Sequence, residues 1–136
     1  MTTAVAGGPS RERTIRAGLA LLGGASLTIG AFMVLSPAAF FDAIGPFGNR
    51  NNHYIRDMAT WQAAAGIGLI AAVKRPSWRR PMLAVGGLQA LLHFVNHIAD
   101  VGKAHPKSAG VADVVSIGAS VVLFAWLWSA TEGTHR

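Results

Sequence analysis

Four stretches of near-spanning length and almost without charge constrain this chain more than any other feature. Residues 17–35 (AGLALLGGASLTIGAFMVL) form 19 consecutive uncharged positions, and residues 58–73 are 16 long and extend to spanning length with a helix start near Tyr54. Residues 82–101 are apolar apart from Gln89, His93, Asn96, His97 and Asp100, and residues 111–128 are interrupted by Asp113 alone. A hydrocarbon core of about 30 Å takes about 20 apolar residues to cross as a helix. A soluble core helix of that length would carry a charged outer face, and none of these does. Charged residues make up 13% of the chain, against about 25% in soluble domains. So apolar a chain has ample surface to bury and is not disordered. Zero cysteines exclude a disulfide scaffold and any cysteine-ligated zinc or iron–sulfur centre. The class expected is all-α, a four-helix transmembrane bundle running up-down-up-down.

The punctuation between spans agrees. Ser36-Pro37 closes the first, a Gly/Asn-rich stretch over residues 45–52 forms the first loop, Pro76 and Pro81 bracket a basic turn, and residues 106–110 precede the fourth. Three parts are expected: a disordered cytoplasmic N-terminus (1–12), the four-helix domain (13–130) and a short cytoplasmic tail (131–136). The first span is longer than a signal-peptide h-region, so it is read as a retained helix.

Orientation follows from lysine and arginine counts on alternate loops. The N-terminus (Arg11, Arg13, Arg16), the second loop (Lys74, Arg75, Arg79, Arg80) and Arg136 hold eight; Arg50, Arg56, Lys103 and Lys107 make four. Both termini are therefore expected in the cytoplasm of a multi-pass membrane protein. The net charge of +6 then fits anionic lipid headgroups at the cytoplasmic face, not nucleic acid. Trp78, Trp126 and Trp128 fall near that interface, where indole rings settle.

With this topology the ionisable residues collect at the other face. His53, Arg56 and Asp57 open the second span there, His93, His97 and Asp100 close the third, and Asp113 opens the fourth, with Asp42 in the first outer loop. His93, Asn96, His97 and Asp100 stand at i, i+3, i+4 and i+7, one stripe on a helix, with Gln89 one turn deeper. His53 and Asp57 also share a face. Antiparallel packing would bring the two sets to one depth, and Asp113 with Ser116 and Ser120 could complete a polar pocket.

Ionisable groups in a bilayer are costly unless paired or hydrated. Three readings follow. In the first, His53, Asp57, His93, His97 and Asp100 ligate zinc or another first-row transition metal, with Arg56, Asn96 and Asp113 binding a ligand or balancing charge. In the second, the polar residues are interhelical glue, Asp57 or Asp100 neutralising Arg56, in an accessory or structural membrane subunit with a partner membrane protein. In the third, they bind a proton or small polar solute, as in a transporter, which with four thin-walled spans would need a homo-oligomer. Asp113 alone is also explained as an acid in a first helical turn. No nucleophile elbow, phosphate loop or multi-glutamate di-iron pattern is present, so the residues specify a place for a site without specifying a reaction.

The segments NRNNHYIRDMATWQAAAGIGLIAAV and LQALLHFVNHIADV resemble a group of small four-span membrane proteins common in actinobacteria, loosely similar to the DoxX-like proteins. Asn51, His53, Arg56 and Asp57 match its Asn-x-His-x-x-Arg-Asp element, and His93 and His97 its histidine pair. The resemblance covers about residues 15–130. It implies a multi-pass protein of a bacterial plasma membrane with the four-span fold and the same polar residues, and brings no activity with it.

Overall fold

Proline and asparagine set where the helices begin. The computed structural model describes residues 8–132. Within them lie α1 (Pro9–Leu35), α2 (Pro37–Ala43), α3 (Asn52–Lys74), α4 (Pro76–Asp100) and α5 (Lys107–Glu132), with a short 3-10 turn at Val101–Lys103. Pro9, Pro37 and Pro76 each stand in the first turn, where a missing N–H costs nothing. Asn51 caps α3, its Oδ1 accepting from the backbone N–H groups of His53 and Tyr54 at 3.1 Å.

Three boundaries differ from the sequence expectation. Disorder is expected through residue 12, but α1 begins at Pro9; residues 1–7 and 133–136 lie outside the described residues. The turn expected between Pro76 and Pro81 is the single residue Arg75, and Pro81 lies inside α4. Proline is tolerated there because the carbonyl it cannot serve belongs to Ser77, an exposed residue in the helix's first turn. The segment after Ser36 is also helical: α2 turns Phe40 and Phe41 onto Met33, Ile55 and Ala59.

Side-chain size decides how the helices meet. The most extensive contact is α1 on α3, where Gly23 and Gly66 face each other. A Cβ on Gly66 would sit 2.9 Å from the Gly23 carbonyl oxygen, and one on Gly23 would sit 3.0 Å from that of Gly66. Small residues let backbones approach this closely, the usual device between helices in lipid. On the other side α4 packs on α5, Gly86 beneath the Phe124 ring and Gly118 beneath that of Phe94. The main core (Ile15, Leu19, Leu69, Leu83 and Leu127 among others) lies toward the Arg75 end.

Much of the apolar surface nevertheless points outward. Leu21, Ile67, Leu92, Val115 and Val122 are each more than 60% exposed. In the apolar stretches of α1, α4 and α5, 33%, 17% and 22% of residues are buried, so most of each stretch faces its surroundings. These three helices, α4 counted with its 3-10 extension, are long and apolar enough to cross a membrane. α3 has the length, at 23 residues, but Thr60, Trp61, Gln62 and its charged ends dilute it.

Polar contacts fix which ends lie together. Arg11 donates to the Ala130 carbonyl at 2.7 Å, Arg80 pairs with Glu132 at 3.6 Å, and Arg79 bonds Glu12. The start of α1, the Arg75 turn and the end of α5 thus share one end. At the other, His105 N–H donates to the Pro46 carbonyl at 3.2 Å, and Phe47 bridges Ala104.

Candidate functional site

The Phe47 end holds the candidate residues, and a glycine sets their register. A Cβ on Gly110 would collide with the Val101 carbonyl oxygen, so the first turns of α5 lie directly against the 3-10 turn that ends α4. Asp113, one turn further on, shares that face and meets His97 of α4. Asp113 Oδ2 lies 3.8 Å from His97 Nδ1, the two side chains 12% and 13% exposed. That separation is too long for a hydrogen bond, and both atoms are buried with no hydrogen-bond partner among the described residues. α5 starts at Lys107, so Asp113 is its seventh residue and not, as expected, a first-turn acid favoured by the dipole.

Two rings enclose His97. The Phe47 ring stands edge-on to it at 5.1 Å between centroids, and His93, one turn deeper, does so at 4.5 Å. Phe47 comes from the loop that the isolated bridge pins to Ala104. Ser116 and Ser120, expected to complete a pocket, instead donate to the carbonyls of Asp113 and Ile117 within their own helix, at 3.1 and 2.7 Å.

The other expected site residues stand apart from this pair. His53 and Asp57 pair at 3.3 Å on the surface, their side chains 86% and 61% exposed. Arg56 is exposed and forms no ion pair among the described residues, so neither Asp57 nor Asp100 neutralises it. Asp100 pairs with Lys103 at 2.6 Å. Asn96 is exposed, and neither it nor Gln89 makes a side-chain hydrogen bond among the described residues. The five residues expected to share a metal therefore separate into the His53–Asp57 pair, the His93–His97 pair and Asp100. Among the described residues no three histidine or acidic side chains converge as a metal site requires. Equal spacing places each set on one face of its own helix; the rotation of α3 turns its set outward.

Sequence reasoning misses the polar cluster at the opposite end. Arg79, whose side chain is 6% exposed, donates to both Glu12 carboxylate oxygens at 2.9 and 2.7 Å. Its Nε also donates to the Ala72 carbonyl at 3.2 Å, capping the end of α3. Charge counting treats Arg79 as one more loop cation. The signal that singles it out is the Lys74-Arg75-Pro76 sequence, which allows a one-residue turn and folds the first turn of α4 over the last carbonyls of α3. α1 has 27 residues, and all its charged residues lie in its first eight, ahead of the charge-free stretch that begins at Ala17. There the Arg79 guanidinium, with help from Arg16 and against the effect of burial, holds the Glu12 carboxyl at about 2, well below its ordinary 4.5.

Comparison with protein-family models, curated proteins and solved structures returns no match for this chain. Its function is therefore argued from its own residues.

Proposed function

We propose that this is a four-span plasma-membrane protein with both termini cytoplasmic, and that the His97–Asp113 pair is a protonatable site for a proton or small hydrogen-bonding solute at its extracytoplasmic end. Support for the membrane reading is the outward-facing apolar surface, the three helices of spanning character, the length of α3 and the eight-to-four bias of lysine and arginine. The resemblance to small actinobacterial four-span proteins points the same way.

One observation carries the site: two buried polar atoms of complementary chemistry face each other at 3.8 Å without a hydrogen bond. A buried polar group left without a partner costs about 1–3 kcal/mol. Such groups are rare in native structures, and each calls for an explanation. An imidazole can take up or release a proton, and a carboxylate facing it can pass or share that proton. A solute with both donor and acceptor would satisfy the two atoms together. Two facing groups do not make a metal centre, so a proton or polar solute is favoured over zinc.

Infrared difference spectroscopy on the full chain in lipid tests this. Across a pH titration, a carboxyl band is expected that disappears in Asp113→Asn and moves in His97→Gln. No Asp113-dependent band at any pH would contradict the proton site. The absence of native cysteine makes the topology testable by single-cysteine labelling: Asn49→Cys should react from outside the cell and Ser77→Cys only after permeabilisation.

A further inference from the structure

A second feature lies at the opposite end, away from the His97–Asp113 pair. An open groove of about 280 Å³ runs between α4 and α5, lined by Ala84, Gly87 and Leu91 on one side and Val121, Ala125 and Trp128 on the other. Its walls are almost wholly apolar. From Leu83 to Leu91, its extent on α4, the helical rise gives about 12 Å. One leaflet of a core about 30 Å thick is about 15 Å deep, so the groove spans most of a single leaflet.

What stands at its mouth identifies the occupant. Trp128 closes the groove toward the Arg75 end, and the Arg80 guanidinium lies 4.1 Å from the centre of its ring. Arg80 is only loosely engaged by Glu132, at 3.6 Å, with side chains 35% and 57% exposed. Arg79 is occupied by Glu12, and Arg75 lies over Trp78 at 5.5 Å. Among the described residues that end gathers seven lysine and arginine side chains against two carboxylates, Glu12 and Glu132.

We infer that this groove is a binding site for one anionic phospholipid of the inner leaflet, an acyl chain lying between α4 and α5 and its phosphate on Arg80. The inference rests on the membrane reading above. The groove supplies apolar contact for a single chain, Trp128 marks the level where chain gives way to headgroup, and Arg80 supplies a planar donor suited to phosphate. Glu132 competes with the phosphate for Arg80 and so sets the affinity.

The test is native mass spectrometry of the full chain from mild detergent, with phosphatidylglycerol, phosphatidylcholine or inorganic phosphate added. Retention of one phosphatidylglycerol per chain, in preference to phosphatidylcholine, is expected. Arg80→Gln should weaken phosphatidylglycerol about fivefold, the worth of one cation at an anionic headgroup, and leave phosphatidylcholine unchanged. Glu132→Gln should strengthen it. Ala84→Leu with Ala125→Leu, both at exposed positions, should fill the groove and release the lipid without disturbing the core. Equal retention of the two lipids, an indifferent Arg80→Gln, or unchanged retention by the groove-filled chain would each overturn the inference. So would binding of inorganic phosphate as strong as that of the lipid, or a dimer that the groove-filled chain loses, which would make the occupant a second copy. Alkaline extraction of membranes separates the two levels: a chain released to the aqueous fraction fails the membrane reading itself, whereas one retained without lipid preference fails this inference alone.

Discussion

The two ends of the molecule both bury charged or polar side chains between helices, and they treat them in opposite ways. At the Arg75 end, Arg79 is buried with two hydrogen bonds to Glu12 and others to the carbonyls of Ala72 and Val73. At the Phe47 end, His97 and Asp113 face each other across 3.8 Å with neither atom bonded. A saturated network fixes how three helix ends meet and holds one arrangement. An unsaturated pair does the reverse: it costs stability where it stands and retains the capacity to take up a proton or a ligand. The first acts as a clamp, and the second carries the site proposed above.

The largest effect that would break this contrast is expected at the clamp. Glu12→Ala strands a buried guanidinium, and loss of one partner from a buried pair costs about 3–5 kcal/mol; Glu12 is itself 37% exposed, so about 2–3 kcal/mol is expected after solvent screening. A chemical-denaturation midpoint in one detergent measures it, and a loss under about 0.5 kcal/mol, the size of a surface pair, would remove the clamp from the account. Acid should weaken the same contact. Because the folded Glu12 carboxyl lies at about 2, below its ordinary 4.5, its contribution is complete above about pH 4.5 and is lost as pH falls toward 2. That acid loss should vanish in Glu12→Gln. The smallest effect is expected at the exposed His53–Asp57 pair, where replacing both residues with alanine should change stability by less than about 0.5 kcal/mol. A larger loss would mean that α3 uses these residues in a way their exposure does not explain.

The two ends also differ in how far the amino-acid sequence reveals them. Helical class and the places of the long apolar helices follow from the charge-free stretches, since uncharged runs of about 20 residues have the length of a membrane-crossing helix. The end at which polar residues collect is legible from alternating loops, and His97 and Asp113 both stand out there. Their partnership does not. Spacing of three or four assigns His53 to Asp57 and His93 to His97 because those pairs share a helix, but says nothing of how each helix is rotated toward its neighbours. That rotation is set by contacts such as Gly23 on Gly66 and Gly110 under the Val101 carbonyl, which read in sequence only as small residues. Pro81 misleads because proline reads as a boundary, whereas a position in the second turn of a helix with an exposed carbonyl below it tolerates the ring. Glu12 reads as one more charge near a terminus, and a long-range partner 67 residues away leaves no local trace.

The measurement that tests the contrast most directly is the thermal midpoint of His97→Phe/Asp113→Leu beside that of wild type, in one lipid or detergent. Leucine keeps the branching of aspartate and phenylalanine keeps an aromatic ring at His97, so the substitutions remove the polarity of both groups. If the pair is a site whose unsatisfied atoms cost stability, the double variant should be more stable by about 1–3 kcal/mol and should melt higher. A double variant that melts lower would show His97 and Asp113 to be packing glue, and would leave the Phe47 end no different in kind from the clamp at the other.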